Sequence, residues 1–164
     1  MDPVSASVMI ARPRAEVFDY LADVANHPEF KDHYLADWRL TREDSVGRGA
    51  GARFRERLPL NRFGWGDLTL AEVDPPFRIV ERGRSGKFNR IRAIGTWTLH
   101  DAPGGMTRVE YDYETQPVKL SDRLLELVAG RGWWGRKLRR SLRRLQAILE
   151  EDRARGRRAT IAAR

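Results

Sequence analysis

The amino-acid sequence predicts an α+β fold: a curved antiparallel sheet of seven strands wrapped round one long C-terminal helix, with two short helices between the first and second strands. Three observations carry that expectation. Segments between residues 4 and 115 repeatedly alternate apolar and polar side chains, the period of a strand with one dry face. Clusters such as Pro75-Pro76 and Pro103-Gly104-Gly105 punctuate them as turns. Beyond residue 120 the period changes, and Leu124, Leu127, Val128, Trp134, Leu138, Leu142, Leu145 and Leu149 recur every three or four residues along one helical face.

Val4, Ala6, Val8 and Ile10 alternate with Ser5, Ser7 and Met9, which makes residues 4–10 the first strand. Pro13 suits the first position of a helix, and Val17, Phe18 and Leu21 share a face, so residues 13–22 form a helix against the sheet. Asp23 can cap a further short helical turn before Asn26-His27-Pro28 redirects the chain. Trp38 and Leu40 begin a second strand that ends in the Val46-Gly47-Arg48-Gly49 turn. The other strands are expected at about 52–59, 66–73, 77–84, 90–100 and 107–115. Ser121 can N-cap the closing helix. Gly130, Gly132 and Gly135 interrupt it around Trp133-Trp134. Glycine inside a helix costs roughly 0.5–1 kcal/mol relative to alanine, so a kink or two abutting helices is expected there, either to pack two bulky rings or to form the edge of a lid.

Strand parity places two carboxylates inside. Arg53, Arg55 and Arg57 share the wet face of the third strand, which turns Ala52, Phe54, Glu56 and Leu58 inward. The fifth strand turns Phe77, Ile79 and Glu81 inward and Arg78, Arg82 and Arg84 outward, with Val80 breaking the pattern. Ala93, Gly95, Trp97 and Leu99 face inward from the sixth strand, and Val109, Tyr111 and Tyr113 from the seventh. A carboxylate facing an apolar interior must be hydrogen-bonded, paired or protonated. Glu56 and Glu81 therefore meet a polar cavity, or else lie at an open end or bulge of the sheet where solvent or an arginine satisfies them.

A length of 164 residues, 41% hydrophobic and 33% charged, fits one domain over residues 1–151 followed by a basic tail, 152–164, expected to be disordered. There is no cysteine, which excludes disulfides and thiolate chemistry. No stretch approaches the roughly 18 apolar residues of a membrane span, and MDPVSASVMI lacks a basic leader, so a cytoplasmic location is expected.

The formal charge of +8 is local: residues 131–164 hold 12 Lys and Arg against 3 Asp and Glu, while the first 130 hold 19 against 20. Arg136, Arg139, Arg140, Arg143 and Arg144 form a face opposite the leucine stripe. That face is read as solvated, with weak contact to an anionic membrane as the alternative, and no nucleic-acid motif accompanies it.

Most catalytic signatures are missing. His27, His33 and His100 are dispersed without metal-ligand spacing, and His27 reads as a surface turn residue beside Pro28; no metal and no cofactor are expected. GRGAGARF at 47–54 precedes a strand-like alternation, so its glycines serve a hairpin and not a phosphate. Neither a GxSxG nor a cysteine nucleophile occurs.

The strand-to-helix entry IARPRAEVFDYLADVANHPEF, the strand-turn-strand LAEVDPPFRIVERG, the strand GTWTL and the arginine- and leucine-rich closing helix together resemble the START-like, or SRPBCC, superfamily. Within it the chain looks like a stand-alone bacterial member of the polyketide cyclase/dehydrase and lipid-transport group, from Val4 to about Glu151. The resemblance implies a helix-grip fold around a deep cavity. It rests on framework positions, so it carries no catalytic residue with it. The expected function is binding, or transport, of a small or medium hydrophobic ligand such as a lipid, polyketide or aromatic metabolite. Trp38, Phe54, Glu56, Glu81, Trp97, Tyr111, Tyr113, Leu124, Val128, Trp134 and Leu138 are the expected ligand contacts. The alternatives are a polyketide cyclase or dehydratase, in which Glu56 or Glu81 is the acid/base and Tyr111 or Tyr113 holds an oxygen, and a module that docks a membrane or partner through the basic helix.

Overall fold

The alternation in VSASVMI becomes strand β1 (Val4–Ile10), which starts a chain order of α1 (Arg14–Ala22), a 3-10 turn (Val24–Asn26), α2 (His27–Lys31) and β2 (Leu35–Leu40). There follow β3 (Gly51–Glu56), β4 (Trp65–Asp74), β5 (Arg78–Ser85), β6 (Ile91–Ala102), β7 (Met106–Pro117) and a C-terminal helix α3 (132–151). The structure is a computed structural model and describes residues 3–57, 64–86, 90–117 and 132–151. Ser121, Leu124, Leu127, Val128 and Gly130, with Leu58 and the tail 152–164, lie outside the described residues.

The seven strands form one antiparallel sheet in the order β1-β7-β6-β5-β4-β3-β2. β1 returns to pair with the last strand, Val4 opposite Tyr113 and Ile10 opposite Thr107, so the N-terminus forms one edge. One face of this sheet and the stripe of α3 make the core. Leu138, Leu142, Leu145 and Leu149 are each at most 7% exposed, and burying a leucine contributes about 1.5–3 kcal/mol. The far end of α3 is tied to the β1–α1 turn, where Arg12 Nε donates to the Leu149 carbonyl at 2.7 Å and Ala11 N–H to Glu150 Oε1 at 3.0 Å. α3 begins among the described residues at Gly132 and runs unbroken through Gly135, so no kink falls within 132–151; the Gly130 side of the expected kink or helix junction lies outside the described residues.

α1 begins one residue after Pro13 and buries Val17, Phe18, Leu21 and Ala22. Asp23 caps the 3-10 turn as expected, its Oδ1 accepting from Ala25 N–H at 3.0 Å. Gly47 and Gly49 take φ of 77° and 88° in the turn before β3, the left-handed region that glycine enters without strain. The Pro75-Pro76 bond in the β4–β5 turn is cis.

Two local departures correct the sequence reading. β2 ends at Leu40 instead of beginning near it, because a bulge between Ala36 and Arg39, with Asp37 at φ 53°, breaks the alternation that would have revealed residues 35–37. Phe77 is not inward: it precedes β5, is 48% exposed, and carries the Arg14 guanidinium 4.4 Å above its ring. A second bulge, in β4 between Leu70 and Glu72, re-phases the pairing with β5 so that Ile79, Val80 and Glu81 are all buried.

Candidate functional site

Glu81 is the centre of a buried polar cluster. Its Oε1 accepts from Trp97 Nε1 at 2.7 Å and from Lys31 Nζ at 3.1 Å, and its Oε2 accepts from the Tyr111 hydroxyl at 2.9 Å and from Lys31 Nζ at 3.3 Å. Lys31 also donates to His27 Nδ1 at 3.2 Å, while His27 Nε2 lies 2.9 Å from the Leu21 carbonyl. A lysine donor on one ring nitrogen and a carbonyl acceptor on the other fix His27 as the neutral tautomer protonated at Nε2. Burial and Lys31 together lower its pKa to about 4.

Short local structure makes this possible. His27 and Lys31 are the first and last residues of the single-turn α2, four apart and therefore on one face. The turn is anchored by Phe30, fully buried and edge-on to Trp97 at 6.0 Å. On the sheet, Glu81 is opposite Gly95, which is in turn opposite Tyr113, and Trp97 stacks on Tyr111 at 4.0 Å. A Cβ on Gly95 would collide with the Tyr111 hydroxyl, so the bare glycine is what lets Tyr111 lean across β6 to Glu81.

Burial alone would raise the Glu81 carboxyl pKa, but Lys31, His27 and the Trp97 hydrogen bond outweigh it and hold the pKa at about 2. The Lys31 ammonium is lowered by burial and supported by Glu81. The Tyr111 hydroxyl is pushed well up by burial and by that same carboxylate. Glu81 is thus ionised, paired and fully occupied, which makes it a poor proton carrier.

Glu56 is a different kind of carboxylate. It is 8% exposed, and burial pushes its pKa up to about 7, opposed only by a hydrogen bond with Ser85. Across the strands Phe54 faces Gly66 and Gly66 faces Ser85, so a side chain is missing between β3 and β5. Glu56 and Ser85 meet at one end of a cavity of about 50 Å³ between the sheet and α3. Tyr34, Leu35, Phe54, Tyr113 and Trp134 supply its apolar and aromatic walls, and Lys31, Glu81 and Tyr111 its other polar side. Trp134 packs on Tyr113 at 4.5 Å and edge-on to Tyr34 at 6.1 Å.

Of the residues expected from sequence, Phe54, Glu56, Glu81, Tyr111, Tyr113 and Trp134 come together around this cavity. Trp97 and Leu138 are each 1% exposed and belong to the packed core, and Trp38 stacks behind Phe54 at 5.2 Å. Leu124 and Val128 lie outside the described residues. His27 is corrected outright: it is fully buried in the Glu81 cluster and not a surface turn residue. Lys31 was missed, since lysine is by default a surface residue; its four-residue spacing from His27 beside the apolar Phe30 was the available signal. Arg136, Arg139, Arg140 and Arg143 are exposed on α3, whereas Arg144 is engaged by Asp32 and the Glu29 carbonyl. Among the described residues no helix is long and apolar enough to cross a membrane.

A family model described as polyketide cyclase / dehydrase and lipid transport matches residues 1–150. No protein with a curated description matches the chain. Solved structures do. A protein from Thermus thermophilus superposes with a TM-score of 0.67 at 14% identity, over 92% of this chain and 98% of that one. A hypothetical protein from Helicobacter pylori gives 0.68 at 12% identity, over 90% and 87%. Norcoclaurine synthase from Thalictrum flavum, in complex with dopamine and hydroxybenzaldehyde, gives 0.68 at 9% identity, over 92% and 87%. At these identities the likeness shows the fold alone.

Proposed function

Because the chain belongs to the polyketide cyclase/dehydrase and lipid transport family, we propose that it binds a small or medium hydrophobic molecule, such as a lipid, polyketide or aromatic metabolite, between its sheet and α3. The observation that carries this reading is the aromatic-walled cavity with Glu56 and Ser85 at one end. Its volume of about 50 Å³ holds little more than a water, whereas ligand pockets span roughly 300–1,000 Å³. Occupancy therefore requires the walls of the cavity to move apart. An apolar dye whose emission responds to its surroundings tests this: it should bind the folded protein, be displaced by long-chain or polycyclic competitors, and bind less well to Tyr113→Ala. Dye affinity unchanged by that substitution would mean that the ligand lies elsewhere.

A second reading, polyketide cyclase or dehydratase, draws support from Glu56. A buried carboxyl with a pKa of about 7 can both give and take a proton near neutrality. Glu81, held ionised by Lys31, is no longer a candidate of equal weight. A poly-ketone substrate whose absorbance changes on incubation with the protein, and not with Glu56→Gln of unaltered affinity, would establish catalysis; no spectral change would leave binding as the activity.

A further inference from the structure

The two carboxylates of the cavity are not equivalent. Glu81 has its own cation, Lys31, at 3.1 Å. Glu56 has none: among the described residues no Lys, Arg or His pairs with it, and Ser85 is its hydrogen-bond partner. Lys31 cannot serve both, since its ammonium is already engaged by both Glu81 oxygens and by His27 Nδ1. Arg84 also borders the cavity, but its side chain is exposed on the outer face of β5, as Arg82 is. With Lys31 and Glu81 cancelling, ionised Glu56 leaves the described lining of the pocket with one negative charge that no described cation compensates.

We infer that the pocket takes a cationic ligand, a protonated amine carried on an apolar or aromatic body, with its ammonium between Glu56 and Ser85 and its body against Phe54, Tyr113 and Trp134. A buried carboxylate recovers its lost solvation most effectively from an ion pair that is also hydrogen-bonded. The faces of tyrosine, phenylalanine and tryptophan attract a desolvated cation through the ring quadrupole. A neutral ligand would leave Glu56 protonated or unpaired, and an anionic one would oppose it.

The inference rests on the cavity being the binding site, and three probes of one shape separate the two. They are 2-phenylethylamine, 2-phenylethanol and phenylacetate, titrated at about pH 8 with tryptophan fluorescence as the readout. The expected result is that the amine binds at least tenfold more tightly than the alcohol and that phenylacetate is weakest. Glu56→Gln should bring amine and alcohol level. In the wild-type protein the preference for the amine should fade as pH drops below about 7, where Glu56 takes up a proton while the amine stays charged. The other ionisable groups bordering the cavity are Lys31, Tyr34, Glu81, Tyr111, Tyr113, Asp67 and Arg84. Of these, Glu81 stays ionised well below that range, and Tyr34 and Tyr111 are pushed up, away from it. Alcohol bound as tightly as amine, or a preference that survives Glu56→Gln, would overturn the amine and keep the cavity. Binding of none of the three would overturn both.

Discussion

Lys31 Nζ lies 3.1 Å from Glu81 Oε1, with both side chains almost wholly removed from solvent and fifty positions apart in the chain. A pair so buried is costly to form and costlier to break, because removing one partner strands the other charge. Lys31→Met should lower stability by about 3–5 kcal/mol. The double variant Lys31→Met/Glu81→Gln should lose less than the single one, since it strands no charge and an amide oxygen at position 81 can still accept from Trp97 while its NH2 donates to the Tyr111 hydroxyl. Urea denaturation of the four proteins of this cycle measures the difference. A double variant less stable than Lys31→Met would show that Glu81 is held by more than its charge.

Glu56 and His27 give stability opposite pH dependences. The folded state binds the Glu56 proton more tightly than the unfolded chain does, so its contribution falls as pH rises from 4.5 to about 7. His27 is held neutral by burial and by Lys31, so its contribution rises as pH climbs from about 4 to 6.5. The two oppose each other in the wild-type protein. Glu56→Gln should remove the opposing contribution, giving a stability that climbs over that interval, chiefly through His27, with His33, also lowered by burial, acting in the same direction. At about pH 8 the variant should exceed the wild type by up to about 3 kcal/mol, at about 1.4 kcal/mol for each tenfold change in proton affinity. Thermal melts from about pH 4 to about pH 8 measure it, and a wild-type-minus-variant difference that does not move with pH would mean that Glu56 is solvated.

Trp134→Ala should open the cavity. The ring rests on Tyr113 and Tyr34, and its removal costs about 3 kcal/mol at most for a side chain only part-buried. Apolar dye should bind this variant faster and with at least equal affinity. Slower and weaker binding would show that Trp134 holds the ligand without restricting its entry.

Parity was enough to turn Glu56 and Glu81 inward, because β3 alternates up to Glu56 and β5 alternates from Glu81 to Ser85, even though Ile79, Val80 and Glu81 are buried in a row. It failed at Phe77, one residue before β5, where the chain is still in the turn. It also failed in β2, whose bulge shifts the phase by an amount no single strand reveals. The His27 and Lys31 side of the cluster left only a faint signal, their four-residue spacing beside Phe30, for a different reason. α2 is five residues long, too short for a helical period to show, and its partner lies in a strand brought alongside only by the finished sheet. The lack of a counter-ion for Glu56 among the described residues is likewise a property of the assembled cavity, invisible while the carboxylate is only a letter in GARFRE.

Gly95 has an evolutionary corollary. The Tyr111 hydroxyl occupies the space where a side chain at position 95 would begin, so the two positions are not free to drift separately. A lineage that acquires alanine at 95 loses the seat of the tyrosine; one that trades Tyr111 for phenylalanine releases the constraint on 95 but deprives Glu81 of a donor. Glycine, tyrosine and glutamate at 95, 111 and 81 should therefore be inherited or exchanged as a trio, and sequences that share all three mark the relatives in which this buried cluster survives.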